Sequence, residues 1–140
     1  MNMSKLTEAI REYEDYQESS GTMSEKNIKM YILVNAYTGL QKGKMCAQVG
    51  HAVSGMTEIM LKKNRQKWKK YTRSGSAKIV LKVTSEEDFI DILDRTKHFP
   101  KYYVVDAGKT QCAPGTTTAV AYAPMHSDAT PSCIKTLGLY

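Results

Sequence analysis

The sequence contains few of the residues that define several common protein classes. Four prolines and nine glycines among 140 residues exclude a proline-rich or collagen-like chain. Cys46, Cys112 and Cys133 are odd in number and widely spaced, which argues against a disulfide framework and favours a reducing compartment. No apolar run approaches the roughly 18 residues that a membrane helix needs. Residues 1–20 are charged throughout and lack a signal-peptide core, so we expect a cytoplasmic protein with no membrane partner.

Charge is distributed unevenly along the chain. The formal net charge is +6, but residues 1–28 hold three basic and six acidic residues, which leaves +9 for residues 29–140. A domain this basic is expected to bind a polyanion or an acidic surface. We therefore predict an acidic N-terminal tail and linker over residues 1–28, with a helix within residues 1–19, and one domain over residues 29–140.

Hydrophobic periodicity within residues 29–140 predicts alternating strands and helices. The order β-α-α-β-α-β-β-α indicates an α/β fold with a mixed four-stranded β-sheet flanked by helices on both faces. Strands separated by helices are expected to be parallel, and the last pair antiparallel. The predicted strands are Lys29–Val34, Ala77–Val83, Tyr102–Asp106 and Thr117–Ala123. The predicted helices are Lys44–Leu61, the basic segment after it, one capped by Thr84 or Ser85, and one beginning at Thr130-Pro131.

One face of the helix Lys44–Leu61 is unusually polar. Lys44, Gln48, His51 and Gly55 recur at helical spacing, while Met45, Met56 and other apolar residues form a second stripe. A cation, an amide and an imidazole on one face indicate a site, and Lys44 near a helix N-terminus is suited to an anion or a developing oxyanion. The alternative is that His51 packs against the sheet with one ring nitrogen bonded to backbone.

The second informative stretch follows the third predicted strand. Gly108-Lys109-Thr110 resembles part of a phosphate-binding loop, but position 103 is Tyr where that loop needs glycine, and no helix follows. What remains is an acid at a strand end, Asp106, with a glycine, a cation and a hydroxyl behind it. This loop either holds a functional carboxylate in place or is an ordinary Asx-type turn anchored by Asp106.

The segment Lys62–Arg73 carries seven cations in 12 residues and no acid. Trp68 and Tyr71 interleave with these cations and are available to stack on bases. The pattern favours a surface that holds a nucleic-acid backbone without reading its sequence. A solvated lysine-rich helix end is the alternative.

Neither metal nor cysteine chemistry is indicated. His51, His98 and His126 are far apart in the sequence, and no Cys/His pair has the spacing of metal ligands. Cys46 lies beside the polar stripe and Cys112 in the loop, where small buried hydrophobic residues are a simpler explanation than a nucleophile. We expect no metal and no cofactor.

Two blocks of sequence together resemble a known family. Lys42-Gly43-Lys44…Ala47-Gln48…His51-Ala52 and Asp106-Ala107-Gly108-Lys109-Thr110-Gln111, with a terminal Leu137-Gly138-Leu139-Tyr140, resemble the type 2 peptidyl-tRNA hydrolases over about residues 29–140. The resemblance implies the same mixed four-stranded sheet. It also implies hydrolysis of the ester between a peptide and the 3′ ribose of tRNA, without metal or cofactor.

The resemblance also implies residue roles. The catalytic residues would be Lys44, Gln48, His51, Asp106 and Thr110. His51 and Asp106 would activate water, with the proton acceptor of the two left open, and Lys44 would stabilise the oxyanion. The partners would be peptidyl-tRNA and its phosphate backbone, and a homodimer is left open. The resemblance adds Lys42 and Gln111 as neighbours of these residues. Together with Lys109 and with the basic-segment residues Lys62, Lys63, Arg65, Lys67 and Trp68, they are the expected substrate-binding residues.

The chain departs from the family pattern after the first strand. Asn35-Ala36-Tyr37 stands where members commonly have Arg-x-Asp, and Gln41 replaces a usual glycine. These departures affect expectations for substrate positioning and rate, not for the fold. They also motivate a rival hypothesis, a non-catalytic tRNA- or RNA-binding module on the same fold. A third hypothesis is a protein-interaction adaptor that acts through the acidic tail.

Overall fold

The computed structural model describes residues 4–11, 27–108 and 115–140. Residues 4–11 are helical (α1), and the rest of the helix predicted within residues 1–19 lies outside the described residues. None of the helices in these ranges is long and apolar enough to span a membrane. The other elements are β1 (Ile28–Asn35), a 3-10 turn (Ala36–Thr38), α2 (Lys42–Lys63), α3 (Arg65–Arg73), β2 (Ala77–Val83), α4 (Glu86–Arg95), β3 (Lys101–Val105), β4 (Thr117–Tyr122), β5 (Met125–His126), a second 3-10 turn (Ser127–Ala129) and α5 (Ser132–Lys135).

The predicted mixed four-stranded sheet is confirmed. Its strands lie in the order β2-β1-β4-β3, with β1 parallel to β2 and β4 antiparallel to both of its neighbours. A fifth strand of two residues, β5, pairs with the start of β1. It was not predicted, because two residues carry no periodicity. The carboxyl ends of β1 and β3 lie at the same end of the sheet as the amino end of β4.

Helices cover both faces of the sheet, as predicted. On one face α2 and α3 contribute Met45, Met56 and the fully buried Tyr71 to a core shared with β1, β3 and β4. On the other face α4 and α5 contribute Phe89, Ile92 and Ile134 to a second core. The apolar stripe predicted for α2 is therefore its buried face, and the period of 3.6 identified it correctly.

Helix ends depart from the predictions by small amounts that have local causes. The helix predicted over Lys44–Leu61 extends to Lys42–Lys63. The basic segment becomes a separate helix because the Asn64 side chain accepts a hydrogen bond from the Lys67 N–H at 3.2 Å and caps α3. Ser85 caps α4 by accepting from the Asp88 N–H at 3.1 Å, as predicted. Pro131 occupies the N-cap position of the last helix without a side-chain hydrogen bond, one residue later than predicted.

The two edges of the sheet differ. The outer edge of β2 is covered by the end of the chain, where the Lys82 N–H donates to the Gly138 oxygen at 2.9 Å and the Tyr140 N–H donates to the Val80 oxygen at 3.0 Å. At the opposite edge, no further strand in the described ranges pairs with β3. Backbone groups of an edge strand are available to pair with an extended chain.

Candidate functional site

The start of α2 presents unused backbone donors beside a lysine. The first helical hydrogen bond runs from the Met45 N–H to the Gln41 oxygen at 3.0 Å, so the N–H groups of Lys42, Gly43 and Lys44 have no acceptor within the helix. The first turn holds no acidic residue, and both lysines are exposed. Positive charge from the helix dipole and from the lysines therefore accumulates at this end of the helix.

A groove of about 440 Å³ runs between α2 and β3, and we call it the α2–β3 groove. Gln48, His51 and Asp106 line it together, so the structure brings the amide and the imidazole of the predicted polar stripe close to the Asp106 carboxylate at the end of β3. Gln48 is buried, whereas His51 is exposed to solvent. Lys44 lies one turn before Gln48 and does not line the groove. The other lining residues are Ser54, Gly55, Glu58, Tyr102, Tyr103, Val104, Val105 and Ala107.

Asp106 is held rigidly where β3 ends. It is 3% exposed, and its carboxylate accepts a hydrogen bond from the Gly108 N–H at 2.8 Å. Its backbone bonds to Thr116 and Gly115, also at 2.8 Å. Gly108 and Gly115 both have positive φ, 85° and 82°, a region that favours glycine. The Asx-type bond that we considered as an alternative is thus present, and it also holds the carboxylate at the end of the groove.

Thr118 is a residue at the site that the sequence did not reveal. The pairing of β3 with β4 shifts register between Val104 and Val105, which leaves Thr118 as an extra residue in β4. Its fully buried hydroxyl lies 3.2 Å from Gln48 Oε1 and 3.4 Å from the Val104 oxygen, and it donates to both. Since Gln48 Oε1 accepts this proton, the amide N–H groups of Gln48 remain to donate toward a ligand. Thr118 stands in a run of three threonines, where no pattern distinguishes it.

The segment that departs from the family pattern does not line the α2–β3 groove. Asn35 is fully buried, and its Nδ2 donates to the Thr117 oxygen, which connects the end of β1 to β4 next to Thr118. Tyr37 faces the start of α4 instead. Burial, and then the nearby Glu86 carboxylate, raise the pKa of the Tyr37 phenol above its ordinary value. Asn35 therefore holds β4 in place from the β1 side, at the residue before the register shift at Thr118.

The basic segment lies at the far end of α2 from Lys44. Lys62 is 18 residues beyond Lys44, about 27 Å along the helix axis. Lys62, Lys63 and Arg65 are exposed, and Lys67 and Trp68 are half-buried. The segment thus presents a cationic surface that begins one helical turn beyond Glu58, the last α2 residue that lines the groove.

The expectation that Tyr71 is available for stacking is wrong. Its side chain is fully buried, and its hydroxyl donates to the Ala77 oxygen at 2.9 Å. Trp68 packs against it with ring centroids 5.1 Å apart. Burial raises the pKa of the Tyr71 phenol well above its ordinary range. Helical spacing placed both aromatics on the same side of α3, and that side faces the core.

Three of the predicted site residues, Lys109, Thr110 and Gln111, lie outside the described residues, as does Cys112. Within the ranges that the structure covers, no three His, Cys, Asp or Glu side chains are grouped closely enough to hold a metal ion. The described part of the site therefore consists of a carboxylate, an imidazole, an oriented amide and a cationic helix N-terminus. All of them lie toward the end of the sheet at which β1 and β3 finish.

These features define an α/β protein with a polar cleft at the strand ends, of the kind that supports hydrolytic chemistry. The family model described as Peptidyl-tRNA hydrolase PTH2 matches residues 28–140. The peptidyl-tRNA hydrolase of Methanocaldococcus jannaschii is 40% identical over 99 residues, which cover 69% of this chain and 86% of that protein. The peptidyl-tRNA hydrolase of Nanoarchaeum equitans is 33% identical over 111 residues, 78% of this chain and 96% of its own length.

A eukaryotic relative matches more of the chain. The probable peptidyl-tRNA hydrolase 2 of Dictyostelium discoideum is 32% identical over 128 residues, which cover 90% of this chain and 59% of the longer relative. Because the family model matches residues 28–140, which is most of the chain, the chain belongs to the peptidyl-tRNA hydrolase PTH2 family. The family resemblance seen in the two sequence blocks is thereby confirmed.

Proposed function

We propose that this protein is a peptidyl-tRNA hydrolase. Water attacks the ester carbonyl between the peptide and the 3′ ribose of tRNA, the ester C–O bond breaks, and a free peptide acid and a free tRNA are released. The observation that supports this most strongly is that Gln48, His51 and Asp106 line one groove in a chain of this family. Both sequence blocks of the family contribute to that groove.

We assign the water-activating step to the pair His51 and Asp106. The imidazole is exposed and suited to proton transfer near neutral pH. The Asp106 carboxylate is buried and tied to the Gly108 N–H, so it is better suited to orient its neighbours and to stabilise positive charge on His51. His51 therefore takes the proton of the attacking water and returns it to the leaving ribose oxygen.

We assign stabilisation of the tetrahedral intermediate to the start of α2. Negative charge develops on the carbonyl oxygen, and Lys44 together with the free N–H groups of the first turn supplies positive charge. Gln48, oriented by Thr118, donates to the carbonyl or to water, and Thr110 is assigned the same task from the loop. No step in this scheme requires a metal or a cofactor.

We assign the tRNA backbone to the basic surface. Phosphate contacts of this kind supply affinity that falls steeply with salt and depends little on sequence. This assignment rests on the exposure of Lys62, Lys63 and Arg65, and we place Lys67 and the partly exposed ring of Trp68 beside them. We assign binding of the 3′ end of the tRNA to Lys42 at the start of α2 and to Lys109 and Gln111.

The free thiols of Cys46 and Cys133 fit our proposal that the protein works in the cytosol, where translation supplies its substrate. We further propose that residues 29–140 form the hydrolase domain. Residues 1–28 would then be an acidic appendage that is not required for the chemistry.

The proposed function is tested by incubating the protein with N-acetyl-aminoacyl-tRNA and following the release of free tRNA. We expect multiple turnovers in the presence of a chelator. Tight binding of the substrate without release would reject the hydrolase and support a non-catalytic RNA-binding module. Equal release by wild type and by a variant carrying both His51→Ala and Asp106→Ala would reject the assigned site.

Replacing Thr118 with valine tests the orientation of Gln48. Valine retains the shape and removes the hydroxyl, so Gln48 Oε1 loses its donor and the amide is free to rotate. We expect kcat to fall about tenfold with KM nearly unchanged, since loss of one hydrogen bond is worth about 1 kcal/mol or somewhat more. Thr118→Ser should restore most of kcat. A valine variant with unchanged kcat would remove Thr118 from the site.

Replacing Lys63 and Arg65 with glutamine tests the basic surface. We expect weaker tRNA binding, and a slope of log K against log salt that is smaller by roughly 1.5 to 2, as for two lost phosphate contacts. kcat at saturating tRNA should change little, because both side chains lie beyond the Glu58 end of the groove, 12 or more residues past His51. The control is Lys97→Gln with Lys135→Gln, which removes the same charge next to α4 and in α5. If the salt slope of tRNA binding changed equally in both double variants, the phosphate contacts would not be specific to the basic segment.

A further inference from the structure

The α2–β3 groove continues well beyond the residues assigned to chemistry. Gln48, His51, Ser54 and Glu58 follow one another along the same side of α2, and Tyr102 to Asp106 of β3 form the facing wall. From Gln48 to Glu58 is ten residues, or about 15 Å along the helix. The groove therefore extends away from Asp106 and His51 toward Glu58.

The groove depends on the contact of Gly55 with Tyr102. A Cβ at position 55 would overlap the Tyr102 ring, so only glycine lets the ring lie against α2. Tyr102 is still 37% exposed. Tyr103 and Val105 alternate with Tyr102 and Val104 along β3, so their side chains face the other side of the sheet. The Tyr102 ring thus makes the wall that β3 contributes partly aromatic, and this wall lies on the sheet edge that no described strand covers.

The charge of the groove is opposite to that of the chain. The chain carries a net charge of +6, yet two carboxylates and, among the described residues, no lysine or arginine line the groove. Within the described ranges, Glu58 forms no ion pair with any lysine or arginine. Such a surface repels phosphates, and it attracts an uncharged chain that ends in a cation. The RNA part of the substrate fits this groove poorly.

We propose that the α2–β3 groove holds the peptide part of the substrate, and that Glu58 binds its free α-amino group. This inference rests on the proposed function and adds a peptide subsite to it. The ester lies at Gln48, His51 and Asp106, and the peptide extends toward Glu58 with its backbone along the open edge of β3. An extended chain advances about 3.3 Å per residue, so four to five residues span the distance of about 15 Å to Glu58. Peptides of that length with an unblocked amino terminus are the preferred substrates.

The first test compares a tetrapeptidyl-tRNA that has a free α-amino group with the same molecule N-acetylated. For wild type we expect kcat/KM to be about three- to fivefold higher for the free amine, the size of one solvent-exposed ion pair. Glu58→Gln should bring this ratio close to one. Glu87→Gln, which removes an exposed carboxylate from α4, should retain the wild-type ratio. The same ratio in all three proteins would overturn the assignment of Glu58.

The second test blocks the middle of the groove with Ser54→Phe. We expect the ratio of kcat/KM for tetrapeptidyl-tRNA to that for N-acetyl-aminoacyl-tRNA to fall about tenfold or more, because a misplaced chain loses reactive geometry. An equal loss on both substrates would mean that RNA occupies the groove, which overturns the proposal. If wild type hydrolyses neither substrate, the proposed function fails and the subsite fails with it. Hydrolysis without any dependence on peptide length or amino group rejects the subsite alone.

Discussion

Asp106→Asn is expected to lower kcat by about 10²- to 10⁴-fold while the protein stays folded. The amide has nearly the shape of the carboxylate and can still accept the Gly108 N–H through its oxygen. What is lost is the negative charge that, in the proposed mechanism, orients His51 and stabilises it when protonated. Release of tRNA from N-acetyl-aminoacyl-tRNA measures the effect, and thermal unfolding verifies the fold.

Asp128→Asn provides the matched control for this variant. Asp128 is exposed in the second 3-10 turn and does not line the groove, so the same chemical change there should leave kcat within about twofold, as is usual for surface substitutions. If Asp106→Asn retained more than a tenth of wild-type kcat, Asp106 would be an anchor of its turn with no part in the chemistry. The hydrogen bond from the Gly108 N–H to Asp106 would then serve only to stabilise the turn.

Lys44→Met is expected to lower kcat by about 10²- to 10³-fold, which is the usual effect of removing one group that stabilises an oxyanion. Methionine retains the apolar stem and a good helix propensity, so α2 should not change. KM should change much less than kcat, because the charge on the carbonyl oxygen exists only in the transition state. Single-turnover kinetics on N-acetyl-aminoacyl-tRNA separates the two effects.

Lys97→Met removes an equal charge from an exposed position after α4 and should leave kcat unchanged. The comparison matters because Lys44 also adds to the positive field that attracts tRNA. A loss confined to KM, removed at high tRNA concentration, would assign Lys44 to binding the tRNA backbone. The oxyanion would then depend on the free N–H groups of α2 alone.

Asn35 and Tyr37 stand where the resemblance to the family leads us to expect Arg and Asp, and the structure shows what each of the two side chains contacts. The amide of Asn35 holds the end of β1 to the Thr117 carbonyl, one residue before Thr118. Tyr37 is near Glu86 at the start of α4. Neither side chain lines the groove, so the groups assigned to chemistry do not include this segment.

Short-range patterns in the sequence were sufficient to predict most of the fold. The four longer strands, the buried stripe of α2 and the Ser85 cap follow from periods of two and 3.6 residues and from short-range capping chemistry. The polar stripe of α2 was equally visible, because it lies within a single helix. The assignment of His51 and Asp106 to one site needed the family motifs, since 55 residues separate them in the chain.

The tertiary structure decided what no local pattern contains. The sequence by itself determined the longer helices and strands, the two faces of α2 and the family, because these are properties of neighbouring residues. The irregular pairing of β4 with β3 placed Thr118 against Gln48, the core buried Tyr71, and the ring of Tyr102 required glycine at position 55. Each of these depends on contact between elements distant in sequence, and helical or strand periodicity carries no information about such contacts.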